Sequence, residues 1–167
     1  MGCVLTHVVP SDPWHLPSPE QLDSALTFVR ESLHADSKAQ AHGHLPQAFF
    51  GPETRFATTC PACGTQLDFE EYTSALADAY DGADASLRSL PYTTPCCNKV
   101  RQATDFDFPI VWANERPNEP EWRDYKVAAF ARADVCLWDF RRLISTAERA
   151  QINAAMGCPI KLVWYGI

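Results

Sequence analysis

Residues 145–167, STAERAQINAAMGCPIKLVWYGI, decide how the chain folds. Ser145 followed by Glu148 is the pattern of a capping box, in which hydroxyl and carboxylate each satisfy a backbone amide where a helix starts. Ile152, Ala155 and Met156 then recur at helical spacing and make one side apolar. Gly157 can close that helix in a left-handed cap, because it has no Cβ to oppose a positive φ. Pro159 bars continuation, so PIKLVWYGI reads as a strand. Upstream, KVAAFARADVCLWDF (126–140) alternates imperfectly. Its alanines permit a helix, but its second half favours a long strand, with Phe130, Val135, Leu137 and Phe140 available for a core. Strand, helix and strand with so short a helix demand a parallel crossover, which is almost always right-handed.

A matching half stands at the other end. Residues 3–9, CVLTHVV, are apolar and β-branched and stop at Pro10, as a strand would. SDPWHLPSP is a loop, and Ser18 then opens a helix with three coincident signals: a hydroxyl cap, Pro19 at the first helical position and Gln21 to complete a capping box. Leu22, Ala25, Leu26, Val29 and Leu33 form its apolar stripe. Two such halves are the parts of an α+β fold, a ferredoxin-like or split βαβ sandwich. At 167 residues the chain is expected to form one α+β domain, 1–167, with an inserted module over 56–104. The segment ADSKAQAHGHLPQAFFGP (35–52) reads as a polar linker into that module. Beyond it, FDFPIVWA (106–113) reads as extended and ERPNEPEWRDY (115–125) as a loop.

The inserted module carries the chemistry. TTCPACGTQLDF (58–69) holds Cys60 and Cys63 two residues apart, with proline after the first and glycine after the second. Proline stiffens the first step of such a turn and glycine permits a positive φ, so both sulfurs can face one point. A second pair, Cys96 and Cys97, follows Pro95 after an interval of 32 residues. Four thiols in two local pairs are a zinc signal. Neighbouring residues in an extended strand point to opposite faces, so Cys96 and Cys97 can share a metal only if the chain bends there, which Pro95 would help to impose. Should one of them fail to ligate, His42 or His44 of AHGH is the next candidate. Two rival readings of CPAC are a thioredoxin-like dithiol, which needs a helix straight after the second cysteine, and unmetallated core thiols. Cys136 and Cys158 read as buried hydrophobes and as unreactive.

The first knuckle, CPACG, resembles the C-P-x-C-G knuckle of zinc-ribbon proteins. The resemblance covers the module alone, and the adjacent Cys96 and Cys97 depart from the usual second C-x-x-C. The tail DVCLWDF…STAERAQINAAMGCPIKLVWYGI, together with TTPCCNK, is similar to small uncharacterised bacterial proteins in which a zinc ribbon precedes a strand-helix-strand tail. That likeness implies a fold and a metal, and no activity.

Composition narrows the function. Seven cysteines, odd in number and clustered, do not make a disulfide framework and suit a reducing cytoplasm. Met1-Gly2-x-x-x-Thr6 fits an N-myristoylation pattern, but the same residues lead into a strand, and the strand is favoured. No run of apolar residues is long enough to span a membrane. The net charge of −7 disfavours a long phosphate backbone, and the basic residues near the module, Arg55, Arg88, Lys99 and Arg101, face six acidic residues between Leu67 and Ala85. Those acidic residues read as a solvated helix face beginning with an Asp68/Glu71 capping box, with Phe69, Tyr72, Leu76 and Tyr80 on its apolar side.

A site of four thiolates is closed and electron-rich, which makes it structural rather than catalytic. No phosphate loop, G-x-S-x-G or H-E-x-x-H is present. The expectation is therefore a non-catalytic zinc-binding adaptor whose partner is another protein, with Trp14, Trp122 and Tyr125 as anchors. An acidic immunity or antitoxin protein is one version of it. The alternatives are a nucleic-acid-binding ribbon, or an enzyme betrayed only by a polar pocket that sets a histidine beside a carboxylate.

Overall fold

The computed structural model describes residues 3–44, 46–50, 57–68, 70–72 and 91–166. The lipidation pattern at Met1-Gly2, the basic residues Arg55 and Arg88, and the helix face beyond Tyr72 lie outside them. Strands β1 (Val4–Pro10), β2 (Asp36–Ala41), β3 (Gln47–Phe50), β9 (Tyr125–Ala131), β10 (Ala133–Trp138) and β11 (Ile160–Gly166) form one sheet in the order β2-β10-β1-β11-β9-β3, and β8 (Phe108–Pro109) also pairs with β9. The sheet is mostly antiparallel, with β11 and β9 the parallel pair. Helix α1 (Pro19–Ser32) links β1 to β2, and α2 (Thr146–Met156) links β10 to β11. In each unit the two linked strands flank a third that runs antiparallel to both, since β10 lies between β1 and β2 while β1 lies between β10 and β11. The parallel crossover expected of the tail therefore exists, with β1 inserted between its two strands.

Both helices start as their sequences dictate. Ser18 Oγ accepts from Gln21 N–H while Gln21 Oε1 accepts from Ser18 N–H, and Ser145 with Glu148 repeats the exchange. Leu22, Ala25 and Val29 of α1 and Ile152 and Met156 of α2 are buried against Val8, Val135 and Leu137 of the sheet. Each large side chain so buried contributes about 1.5–3 kcal/mol, so tertiary packing holds these helices more than propensity does. Gly157 caps α2 at φ 67°, and a Cβ there would run into the Gln21 amide of the α1 capping box. The substitution Gly157→Ala should therefore lower stability by about 1–2 kcal/mol from the left-handed backbone alone. The displaced Gln21 adds to that loss, and a drop in thermal midpoint would measure the sum.

Glu148 also takes a forked pair of hydrogen bonds from Arg142 at 2.9 and 2.7 Å. These bonds, with those from Ser145, outweigh partial burial and bring its carboxyl down to about 2. A carboxyl depressed on folding stabilises above its ordinary value of 4.5, and that stability drains away as pH falls toward 2. The variant Glu148→Gln should be less stable than the parent at neutral pH. The gap should close through the same window in urea titrations.

Three expectations need correction. The polar linker over 35–52 instead contains β2, an edge strand on β10, and β3, on the far edge beside β9. Ser37, buried on β2, and the half-buried Ala39 are small enough to lie over the core while Asp36, Lys38 and Gln40 point away. The 126–140 segment is strand in both halves, split at Arg132, because its alanines lie in a crowded interior where Ala128, Ala129 and Ala131 are buried. The extended reading of 106–113 holds as far as Ile110, through β8 and the extended Phe106 and Ile110 on either side of it, after which the chain turns through short 3₁₀ helices at Val111–Glu115 and Pro120–Asp124.

Only residues 42–46 connect the two edge strands β2 and β3. Six Cα steps reach at most about 21 Å, whereas five strand spacings across a flat sheet come to about 24 Å. The sheet is therefore curled, with its edges drawn together over the face that the helices leave uncovered.

Candidate functional site

Two hairpins lie between β3 and β8: β4 (Ala57–Thr59) with β5 (Gln66–Asp68), and β6 (Pro91–Thr93) with β7 (Val100–Gln102). At the first tip Cys60 N–H donates to Thr65 O and Gly64 N–H to Cys60 O, both at 2.9 Å, with Gly64 at φ 75°. At the second, Thr94 N–H donates to Lys99 O and Asn98 N–H to Thr94 O, again at 2.9 Å, with Asn98 at φ 56°. The two tips are thus built alike, with Thr94 in the place of Cys60 and Cys97 in the place of Cys63. Cys96 occupies the position of Ala62. The adjacent cysteines are consequently in a turn rather than an extended strand, which lets both sulfurs face one point.

The four sulfurs lie within 4.8 Å of one another, with Cys63 to Cys96 at 3.4 Å and Cys60 to Cys97 at 4.0 Å. Tetrahedral zinc with sulfurs about 2.3 Å away places them about 3.8 Å apart, so the cluster has the dimensions of a metal site. The cysteines are free thiols, and Thr58, Cys60 and Leu67 are buried while Cys63 is exposed. Hydroxyls tune the sulfurs. Thr65 draws the Cys63 thiol down to about 6, and Thr94 Oγ1, fully buried at 3.1 Å from Cys97 Sγ, lowers Cys97. Burial and the neighbouring sulfurs push Cys96 up to about 12, so a bound cation must displace its proton. After CPAC the chain enters β5 and not a helix, so it lacks the helix N-terminus that a thioredoxin-like dithiol requires. Among the described residues no histidine joins the four sulfurs.

His42 belongs elsewhere, to a cluster that sequence reading missed. On the uncovered face of the sheet, His7 Nδ1 lies 2.9 Å from Asp134 Oδ2 and His42 Nε2 lies 2.7 Å from Asp134 Oδ1. Asp134 is only 4% exposed. Burial pushes its carboxyl up, but the hydrogen bonds from His42 and His7 more than offset that and leave it below the usual carboxylate range. β1 and β10 bring Cys136 directly opposite His7, with Sγ 4.0 Å from His7 Nε2. His42 is fixed just beyond β2 by its N–H, which donates to Arg132 O at 2.6 Å. Phe49 of β3 leans over both imidazoles, with ring centres 5.1 and 5.5 Å away, as the curl of the sheet allows. The group lines a cavity of about 320 Å³. One signal was available in the sequence: an aspartate inside the apolar run ADVCLW cannot be buried without partners.

The aromatic residues divide differently from expectation. Trp14 is 45% exposed, but Trp122 and Tyr125 are buried and cannot serve as anchors. Trp122 packs edge-on with Trp112 and Trp164, and Tyr125 Oη accepts from Ile144 N–H at 2.8 Å, so both belong to the core. The described residues include no helix long and apolar enough to cross a membrane. The chain matches no family model, no curated protein and no solved structure.

Proposed function

We propose that this chain, 1–167, is a single ferredoxin-like domain with a zinc-ribbon module inserted over 56–104. In this reading Cys60, Cys63, Cys96 and Cys97 hold one structural zinc ion. The observation that carries it is the set of four sulfurs converging from two similarly built turns. Four thiolates close the coordination sphere, so the ion folds the module and takes no part in chemistry. The ribbon then serves as a cytoplasmic docking module for another protein. Val100 supports this, being 61% exposed on β7 with the exposed Pro61 and Pro95 at the hairpin tips. An acidic chain of this kind suits a basic partner, as an immunity or antitoxin protein would. Elemental analysis of the purified protein tests the metal, with one zinc per chain expected. Affinity capture with the parent and with Val100→Asp tests the docking face, where partner recovery should fall in the variant.

The nucleic-acid alternative has Lys99 and Arg101 in its favour among the described residues, and it requires salt-sensitive binding to DNA or RNA at low ionic strength. The enzymatic alternative gains a specific observation, the carboxylate between two histidines in a cavity. It concerns a different part of the molecule from the metal.

A further inference from the structure

The cluster on the uncovered sheet face has an order that its hydrogen bonds dictate. A carboxylate only accepts, so His7 Nδ1 and His42 Nε2 must both carry hydrogens toward Asp134. In neutral His7 the lone pair is then on Nε2, the nitrogen 4.0 Å from Cys136 Sγ. Sulfur, imidazole and buried carboxylate follow one another as nucleophile, base and orienting acid do in thiol catalysis. The second histidine occupies the remaining carboxylate oxygen and fixes its orientation. The cavity offers apolar walls in Leu5, Phe49 and Trp138, and Lys38 of β2 lies directly across from Cys136 on the side opposite His7. We infer that Cys136, His7 and Asp134 form a nucleophilic site that hydrolyses small acyl esters or thioesters, with Asp134 as the positioning residue.

The reaction balances as a two-step acyl transfer. Burial pushes the Cys136 thiol up to about 12, so the resting sulfur keeps its proton and needs a base as it attacks. His7 Nε2 takes that proton while Sγ bonds to the acyl carbon, and Lys38, in the lining of the same cavity, offers a positive charge to the oxygen on which negative charge develops. The adduct collapses with cleavage of the bond to the alcohol or thiol, which leaves with the proton returned by His7. A water molecule then gives a proton to His7 Nε2 and attacks the thioester, the carbon–sulfur bond breaks, and Sγ recovers the proton as a carboxylic acid departs. The apolar walls would hold a short acyl chain, in keeping with a cavity of about 320 Å³.

The test uses the full metal-loaded chain with p-nitrophenyl acetate as the probe and Cys3→Ser as the background, since Cys3 is an exposed thiol. A burst of p-nitrophenolate is expected, with a mass increase of one acetyl group that peptide mapping assigns to Cys136. Cys136→Ser should remove the adduct. His7→Gln should slow acylation by about 10²–10⁴-fold, the usual worth of a positioned base. His7 is only half-buried, so this variant keeps the test decisive where Asp134→Asn fails to fold. If Asp134→Asn folds, it should slow acylation while leaving KM within a few-fold, as a positioning role requires. Three results would overturn the inference: no acetyl on Cys136, acylation that His7→Gln leaves unchanged, or a second metal ion per chain that Cys136→Ser removes. None of these bears on the zinc at Cys60, Cys63, Cys96 and Cys97, which elemental analysis reads separately.

Discussion

Stripping the metal should melt both hairpins and expose four thiols that are otherwise shielded from alkylation. The module buries little of its own: Leu67 and Tyr72 are its large fully buried side chains among the described residues, each contributing about 1.5–3 kcal/mol. A structural zinc ion supplies an apparent 10–16 kcal/mol or so in small zinc-folded peptides at neutral pH. A bound zinc ion would therefore outweigh those two side chains by about two- to five-fold. Replacing any of Cys60, Cys63, Cys96 or Cys97 by serine should abolish stoichiometric zinc in the purified protein. Thr94→Val is the finer test, because it keeps all four sulfurs and removes only the hydroxyl beside Cys97 and its two bonds to Lys99. Its zinc affinity should fall by about 10–100-fold, as is usual when a group behind a ligand is lost. Competition with a chromophoric chelator measures both, and full zinc occupancy in Cys96→Ser would refute four-thiolate ligation.

Truncating Tyr72 should be the most damaging single change outside the metal. Its ring meets Phe106 and Phe108 edge-on at 5.1 and 5.0 Å, and its hydroxyl donates to Ala103 O at 3.3 Å. Those partners follow the second hairpin, and Phe108 belongs to β8, so this side chain ties the module to the sheet together with Thr58 Oγ1, which donates to Asp107 O at 2.6 Å. Tyr72→Ala should cost about 3–5 kcal/mol, the range for deleting a buried aromatic ring. Tyr72→Phe retains the packing and removes one of two hydrogen bonds to Ala103 O, which still accepts from Phe106 N–H, so its cost is limited to about 1 kcal/mol. Urea midpoints of the two variants separate packing from hydrogen bonding. A Tyr72→Ala variant as stable as Tyr72→Phe would show that the ring anchors nothing.

The sequence was most readable where local rules act alone. Ser18, Gln21, Ser145, Glu148 and Gly157 announced both helices because caps depend on residues within one turn. The Asp68/Glu71 capping box likewise forms, with both bonds under 3.0 Å. The candidate metal residues were legible for the same reason, each pair being one tight turn. Edge strands β2 and β3 were not, since an edge strand covered on one face needs only Ser37 and Ala39 turned inward and otherwise looks like polar loop. The buried pair Trp122 and Tyr125 lay in a proline-rich stretch, and their partners Trp164 and Ile144 come from later in the chain. His7, His42 and Asp134 were hardest of all, because strand register alone brings residues from three distant segments together, and no local spacing encodes register.

Strand β1 takes its two partners, β10 and β11, from the opposite end of the sequence. Emerging early in synthesis, it has to wait with both edges unsatisfied until more than a hundred further residues have been made. Such distant closure makes for slow folding and leaves an adhesive strand exposed in the meantime. The hairpins in the middle have no such wait. If the four sulfurs hold zinc as proposed, a cell short of it would thus lose a part of the chain able to settle early, at the moment when β1 is most prone to clump.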